Sequence, residues 1–149
     1  MKRILLPLAL TALGATSLHS ASAQAADTGT CARISTFDNA PRRQNLHRAV
    51  LVAVDGGMPG PLDASSWRIT PGKHTIKLAE AVDGREFSAL KQYERDGHQP
   101  DRYKTIEIDA KPGVTYRLAA EFQRAHRLQI RDGQYWQPVV WKETPESCG

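Results

Sequence analysis

Cysteine is scarce here. The 149 residues contain two, Cys31 and Cys148, and a pair so far apart makes no Cys-x-x-Cys redox or metal motif. Long apolar runs are missing after the first 25 residues, so no later stretch reaches the ~20 residues that a membrane-spanning helix needs. Charge of one sign is not in excess. The formal net charge is +4, falling to +2 without Lys2 and Arg3, which is too little to point to nucleic acid. Beyond residue 25 the histidines are His47, His74, His98 and His126. None has another close by, as a His-Glu-x-x-His zinc helix requires. No Gly-x-Ser-x-Gly, phosphate-binding glycine loop or calcium loop occurs. There is no internal repeat and no strand–helix alternation. These absences leave no catalytic residue, metal ligand or cofactor to assign.

What is present begins with an export signal. Lys2 and Arg3 precede a run from Ile4 to Leu13 that is apolar except for Pro7 and Thr11, and small residues follow at Ala21-Ser22-Ala23 and Ala23-Gln24-Ala25. That pattern reads as a cleaved signal peptide over residues 1–25, with one domain over 26–149 in the periplasm or secreted. Cleaved, such a chain keeps no integral membrane span. An even cysteine pair in an exported chain reads as a disulfide, Cys31 to Cys148. The residues before Cys31, Thr28-Gly29-Thr30, lack the large apolar residue of a lipoprotein cleavage box.

The segment Arg48–Glu80 carries two strand patterns joined by turn residues. Val50, Val52 and Val54 alternate with Ala49, Leu51 and Ala53, and His74, Ile76 and Leu78 alternate with Thr75, Lys77 and Ala79. A period of two marks a pleated strand. Asp55-Gly56-Gly57 ends the first run and Pro71-Gly72 launches the second. Arg33–Phe37 reads as an edge strand, Ala49–Val54 as a central one, and Trp67 and Ile69 as one face of a short strand. Ile106 and Ile108, then Tyr116, Leu118, Ala120 and Phe122, read as a β-hairpin across Lys111-Pro112-Gly113. Leu128 and Ile130 suggest a further strand, and Tyr135–Trp141 a last one, placed at an edge by Pro138. Residues 83–101 read as a loop or short helix: Phe87, Leu90 and Tyr93 have helical spacing, and Gly97 and Pro100 would end it. The expected fold is all-β, an Ig-like β-sandwich of about 6–8 mostly antiparallel strands. It would bury Val50, Ile76, Ile106, Leu118 and Phe122, each worth about 1.5–3 kcal/mol.

Three blocks, Val54-Asp55-Gly56, Pro71-Gly72-Lys73-His74-Thr75-Ile76 and Ala110-Lys111-Pro112-Gly113-Val114-Thr115-Tyr116, occur in an order that resembles PEGA-like domains and related small bacterial envelope modules. The resemblance covers about residues 49–122. It implies a small Ig-like β-sandwich outside the cytoplasm, often with no assigned chemistry. The insertion at residues 83–101 and the aromatic last strand depart from that pattern.

The functional expectation is a non-catalytic envelope accessory or binding protein, with an envelope protein or glycan as partner. Two other classes stand beside it. One is a hydrolase using His74 or His98 with nearby acids. The other is a secreted inhibitor or interaction module presenting residues 83–101. Tyr135, Trp136 and Trp141 form the candidate binding surface, because an exposed aromatic strand can stack on a sugar ring or a partner. Ser88-Ala89-Leu90-Lys91 matches Ser-x-x-Lys, but without the accompanying Lys-Thr-Gly and Ser-x-Asn. The basic run Arg42–Arg48 has no interleaved aromatic residue and reads as a solvated approach to a strand.

Overall fold

Alternating apolar and polar residues become β-strands in the described part of the chain. The computed structural model describes residues 31–36, 40–58, 60–61, 64–97 and 102–146. The proposed signal, residues 1–25, and also His98 and Cys148 lie outside the described residues. The elements in order are β1 (Ala32–Ser35), β2 (Leu46–Val54), β3 (Ser66–Ile69), β4 (Gly72–Ala81), α1 (Ala89–Gly97), β5 (Tyr103–Ala110), β6 (Val114–Phe122) and β7 (Trp136–Pro145).

The seven strands form one mixed sheet in the order β3-β1-β6-β2-β4-β5, with β7 paired to the other side of β6. Among the described residues only β1 and β6 run parallel; the remaining pairs are antiparallel. Strand β2 links two groups of strands. Leu46 and His47 pair with Glu121 and Ala120 of β6, and from Arg48 onward β2 pairs with β4. The two groups meet again where Lys104 Nζ of β5 donates to the Trp136 carbonyl of β7 at 2.6 Å. Ile34, Leu51, Ile76, Leu78, Leu118 and Trp136, drawn from strands of both groups, belong to the main core. A smaller cluster of Ala40, Leu46 and Ala119 takes Val139 and Trp141 against it.

Local chemistry explains the joints. Asp55 (φ 51) and Gly56 (φ 80) both adopt left-handed backbone, and Val54 and Gly57 exchange hydrogen bonds at 3.0 and 2.9 Å. This is the two-residue turn that Asp-Gly favours, since its twist matches that of the flanking chain. At the other end Gly113 (φ 68) follows Pro112. The Tyr116 hydroxyl accepts from Lys111 N (2.8 Å) and donates to Asp109 O (3.2 Å), which fixes the path from β5 into β6.

Several expectations are corrected. Strand β5 pairs with β4 over eight residue pairs, from Gly72↔Ala110 to Ala79↔Tyr103, so β5 and β6 are not a hairpin. The tyrosine-tied turn carries the chain across from one group of strands to the other. Strand β1 is not an edge, because β3 and β6 flank it. Val50 is 44% exposed, while Ala49 and Leu51 are buried. The core takes the opposite phase there, and a register shift between Leu51 and Ala53 changes it again further along. Leu128 and Ile130 lie in turns after a short 3-10 segment at Arg124–His126, not in a strand. Of the two readings of residues 83–101, loop or short helix, the helix is present as α1. Strand β7 pairs with β6 alone among the described residues, the edge position that Pro138 suits.

Candidate functional site

Helix α1 is attached to the sheet by charge rather than by an apolar stripe. Ile76, Leu78 and Glu80 share the inward phase of β4, and all three are buried. Glu80 Oε2 accepts from Val82 N at 2.6 Å. Its Oε1 accepts from Arg102 Nε at 3.0 Å and from the Tyr135 hydroxyl at 3.2 Å. Arg95, the one buried residue of α1, places Nε 3.6 Å from the same oxygen and donates from Nη1 to Val82 O at 3.0 Å. Its guanidinium also covers the Phe87 ring, 4.8 Å from the centroid, and Phe87 packs edge-on against Phe122 and Tyr135. A buried carboxylate is tolerable only when it is paired and hydrogen-bonded in this way. Burial, with the Glu80 charge beside it, pushes the Tyr135 hydroxyl well above its usual range, so it stays a donor.

With Arg95 turned inward, the apolar residues of α1 face out. Leu90 is 75% exposed and Tyr93 80%, and Leu128 on the adjoining turn is 63% exposed. Two hollows border them. One of about 320 Å³ is lined by Arg85, Phe87, Lys91, Arg127 and Leu128, among others. The second, about 390 Å³, is lined by Leu90, Tyr93, Glu94, Gly97 and Arg131. Lys91 Nζ donates to Glu94 (2.7 Å) and to Leu128 O (3.1 Å), and Arg131 Nε donates to Glu94 at 2.9 Å. Lys91, followed by Arg131, holds the Glu94 carboxyl below the usual range.

The other candidates resolve as follows. Ser88 sits at the start of α1, where its Oγ accepts from Lys91 N at 3.4 Å. The Lys91 amine is committed to Glu94 and Leu128, so Ser88 and Lys91 act as a helix start and a tie. The Asp55 carboxylate accepts from His74 Nδ1 at 2.6 Å and from Thr75 N at 2.8 Å. His74 Nε2 donates to Thr70 O at 2.7 Å. A carboxylate and a carbonyl both accept, so the two bonds together favour the doubly protonated, cationic ring. Burial lowers the His74 pKa, but the bonds to Asp55 and Thr70 outweigh it and the net shift is upward. In that form neither nitrogen keeps a lone pair for a proton. Glu107 and Asp109 lie beside this pair around an open hollow of about 350 Å³.

Tyr135 and Trp136 are fully buried, which corrects the expected aromatic platform. Tyr135 precedes β7, so strand alternation does not set its side, and it turns inward to Glu80. Trp141 is half-buried on the smaller cluster. It is the extra residue at a register shift, between Lys142 paired with Arg117 and Val140 paired with Leu118. His47 is buried against Phe122 and accepts from Asp83 N at 3.4 Å. Burial, its largest influence, lowers its pKa, with Glu86 opposing. Among the described residues, no three of His, Cys, Asp and Glu gather as a metal set, and no helix is long and apolar enough to cross a membrane.

Glu80, Arg95 and Arg102 escaped sequence reasoning. The available signal was a glutamate in phase with Ile76 and Leu78. No family model, curated protein or solved structure matches the chain.

Proposed function

We propose that the protein is an exported, non-catalytic binding module of the cell envelope that docks through α1 and the adjoining turn. The observation that carries this reading is the outward display of Leu90, Tyr93 and Leu128 on a helix fixed from behind by Glu80 and Arg95. Exposed apolar side chains clustered on a rigid support mark interaction sites more often than scattered ones do. The reading joins the accessory role to the presentation of residues 83–101. The bonds at both nitrogens of His74 weigh against its use as a general base. The buried state of Trp136 and Tyr135 weighs against a sugar platform on the last strand.

The Ig-like sandwich belongs to the same proposal. Support comes from β2 serving two groups of strands and from Tyr116 bonding back to the backbone before its own strand, as a tyrosine corner does. The likeness to PEGA-like domains rests on the three sequence blocks, and export to the periplasm on residues 1–25.

A photoreactive phenylalanine at position 93, installed in cells that export the protein, tests the docking role. An adduct is expected at position 93 and not at Thr105 on the exposed face of β5. Equal yields at both positions would remove the docking role.

A further inference from the structure

From the α1 surface, and resting on the docking role just given, we infer that the occupant is an anionic phospholipid bilayer. Three features of the surface point there. First, side chains exposed to 63–80% are protruding knobs, not the floor of a groove. A folded protein partner would need a matching pocket for each, whereas a bilayer interface receives apolar knobs without one, and Tyr and Leu are suited to that depth. Second, basic side chains line both hollows between the knobs. Arg85, Lys91 and Arg127, with Glu86, line one, and Arg131, with Glu94, the other, so apolar knobs alternate with basic side chains that can reach headgroup phosphate. Third, the local charge is positive. Those four cations still outnumber the acids around them, Glu86, Glu94 and Asp83. Glu94 is taken by Lys91 and Arg131, and Glu86 lies 3.7 Å from His47. Among the described residues Arg127 makes no ion pair, while Arg85, paired with Asp83 at 2.7 Å, and Arg131, paired with Glu94 at 2.9 Å, are largely exposed. The surface is therefore complementary to negative charge, and the long arginine side chains can reach phosphate while their stems lie along the apolar layer.

The test is flotation of the exported protein with vesicles of phosphatidylglycerol and phosphatidylcholine, against vesicles of phosphatidylcholine alone. Binding is expected to the anionic vesicles, with a loss at ~1 M salt, where the screening length falls to about 3 Å. Neutralising Arg127 or Arg131 by alanine should weaken binding about fivefold each. The pair Leu90→Ser and Tyr93→Ser should weaken it tenfold or more, while Lys142→Glu, on exposed β7, should leave it unchanged. Every variant shares the wild-type N-terminus, so a difference between them reads the α1 surface alone. Failure of the wild type to float, or equal flotation of wild type and α1 variants, overturns the lipid inference. A protein adduct at position 93 without vesicle binding also overturns it but leaves the docking role standing. No adduct and no flotation remove both.

Discussion

Glu80 is the side chain whose loss should cost the fold most. It is buried and receives Val82 N, Arg102 and Tyr135, with Arg95 close by. Removing one partner of a buried pair strands the other charge, at about 3–5 kcal/mol. Glu80→Ala should lower stability by that order in chemical denaturation. Glu80→Gln should fall between, since it can still accept the Arg102 bond. The Asp55–His74 pair gives a pH-dependent counterpart. The folded His74 pKa lies above its ordinary 6.5, so its contribution is complete below that value and is lost as pH rises through the folded one. The backbone bond from Thr75, with help from His74, sets Asp55 below its ordinary 3.8, so its contribution is present above that value and is lost as pH falls through the folded one. The pair therefore acts most strongly from about pH 4 to 6.5. Asp55→Asn should lower the thermal midpoint more at about pH 5.5 than at about pH 9. Buried His47 titrates in the opposite sense, destabilising the fold as pH drops below 6.5, but it is common to both proteins and cancels in the difference. A midpoint difference that stays flat with pH would remove the ion pair from the account.

At the scale of elements, α1 separates anchoring from display. Leu90→Ser and Tyr93→Ser change residues that face solvent, and together they should shift stability by no more than about 1 kcal/mol. Arg95→Ala should instead free the helix, seen as faster amide exchange over Lys91–Arg95 while β4 and β5 stay protected. Helical spacing in the sequence left the element open between loop and helix and missed its inner face, because the anchor is an arginine and the spacing rule looks only for apolar residues. The strands were legible for a related reason. Alternation is a local property, and it located β2, β4, β5, β6 and β7 to within a few residues. Pairing is not local. β5 and β6 are both amphipathic and joined by a Pro-Gly turn, which describes a hairpin equally well, and only the Tyr116 bonds and the long register with β4 distinguish the two. The Asp55-Gly56 turn, by contrast, was readable from two residues. Gly56→Ala meets no atom within 4 Å, so its cost is backbone strain alone, about 1–2 kcal/mol.

At the scale of the whole molecule, β6 gathers the two ends of the described chain. It pairs with β1 on one side near its start and with β7 on the other. Gly113, just before β6, donates to Cys31 O at 2.8 Å and accepts from Glu146 N at 2.9 Å. One residue thus bridges the backbone at Cys31 to the backbone two positions before Cys148. That convergence supports the proposed disulfide, which the spacing of the cysteines alone left as an inference from export. The enclosed loop is long, so the chain-entropy model gives the link roughly 4–5 kcal/mol, less any strain. Strands β1 and β7 already hold the same ends through their ladders with β6, so the reduced protein should still fold. The expected result is a mass two hydrogens below the dithiol form, with 23–25 N-terminal residues removed, and a thermal midpoint that falls on reduction. Cys31→Ser should reproduce the lower midpoint and become insensitive to reductant. A wild-type midpoint unmoved by reductant, with two thiols open to alkylation in the native state, would leave β6 as the sole link between the ends.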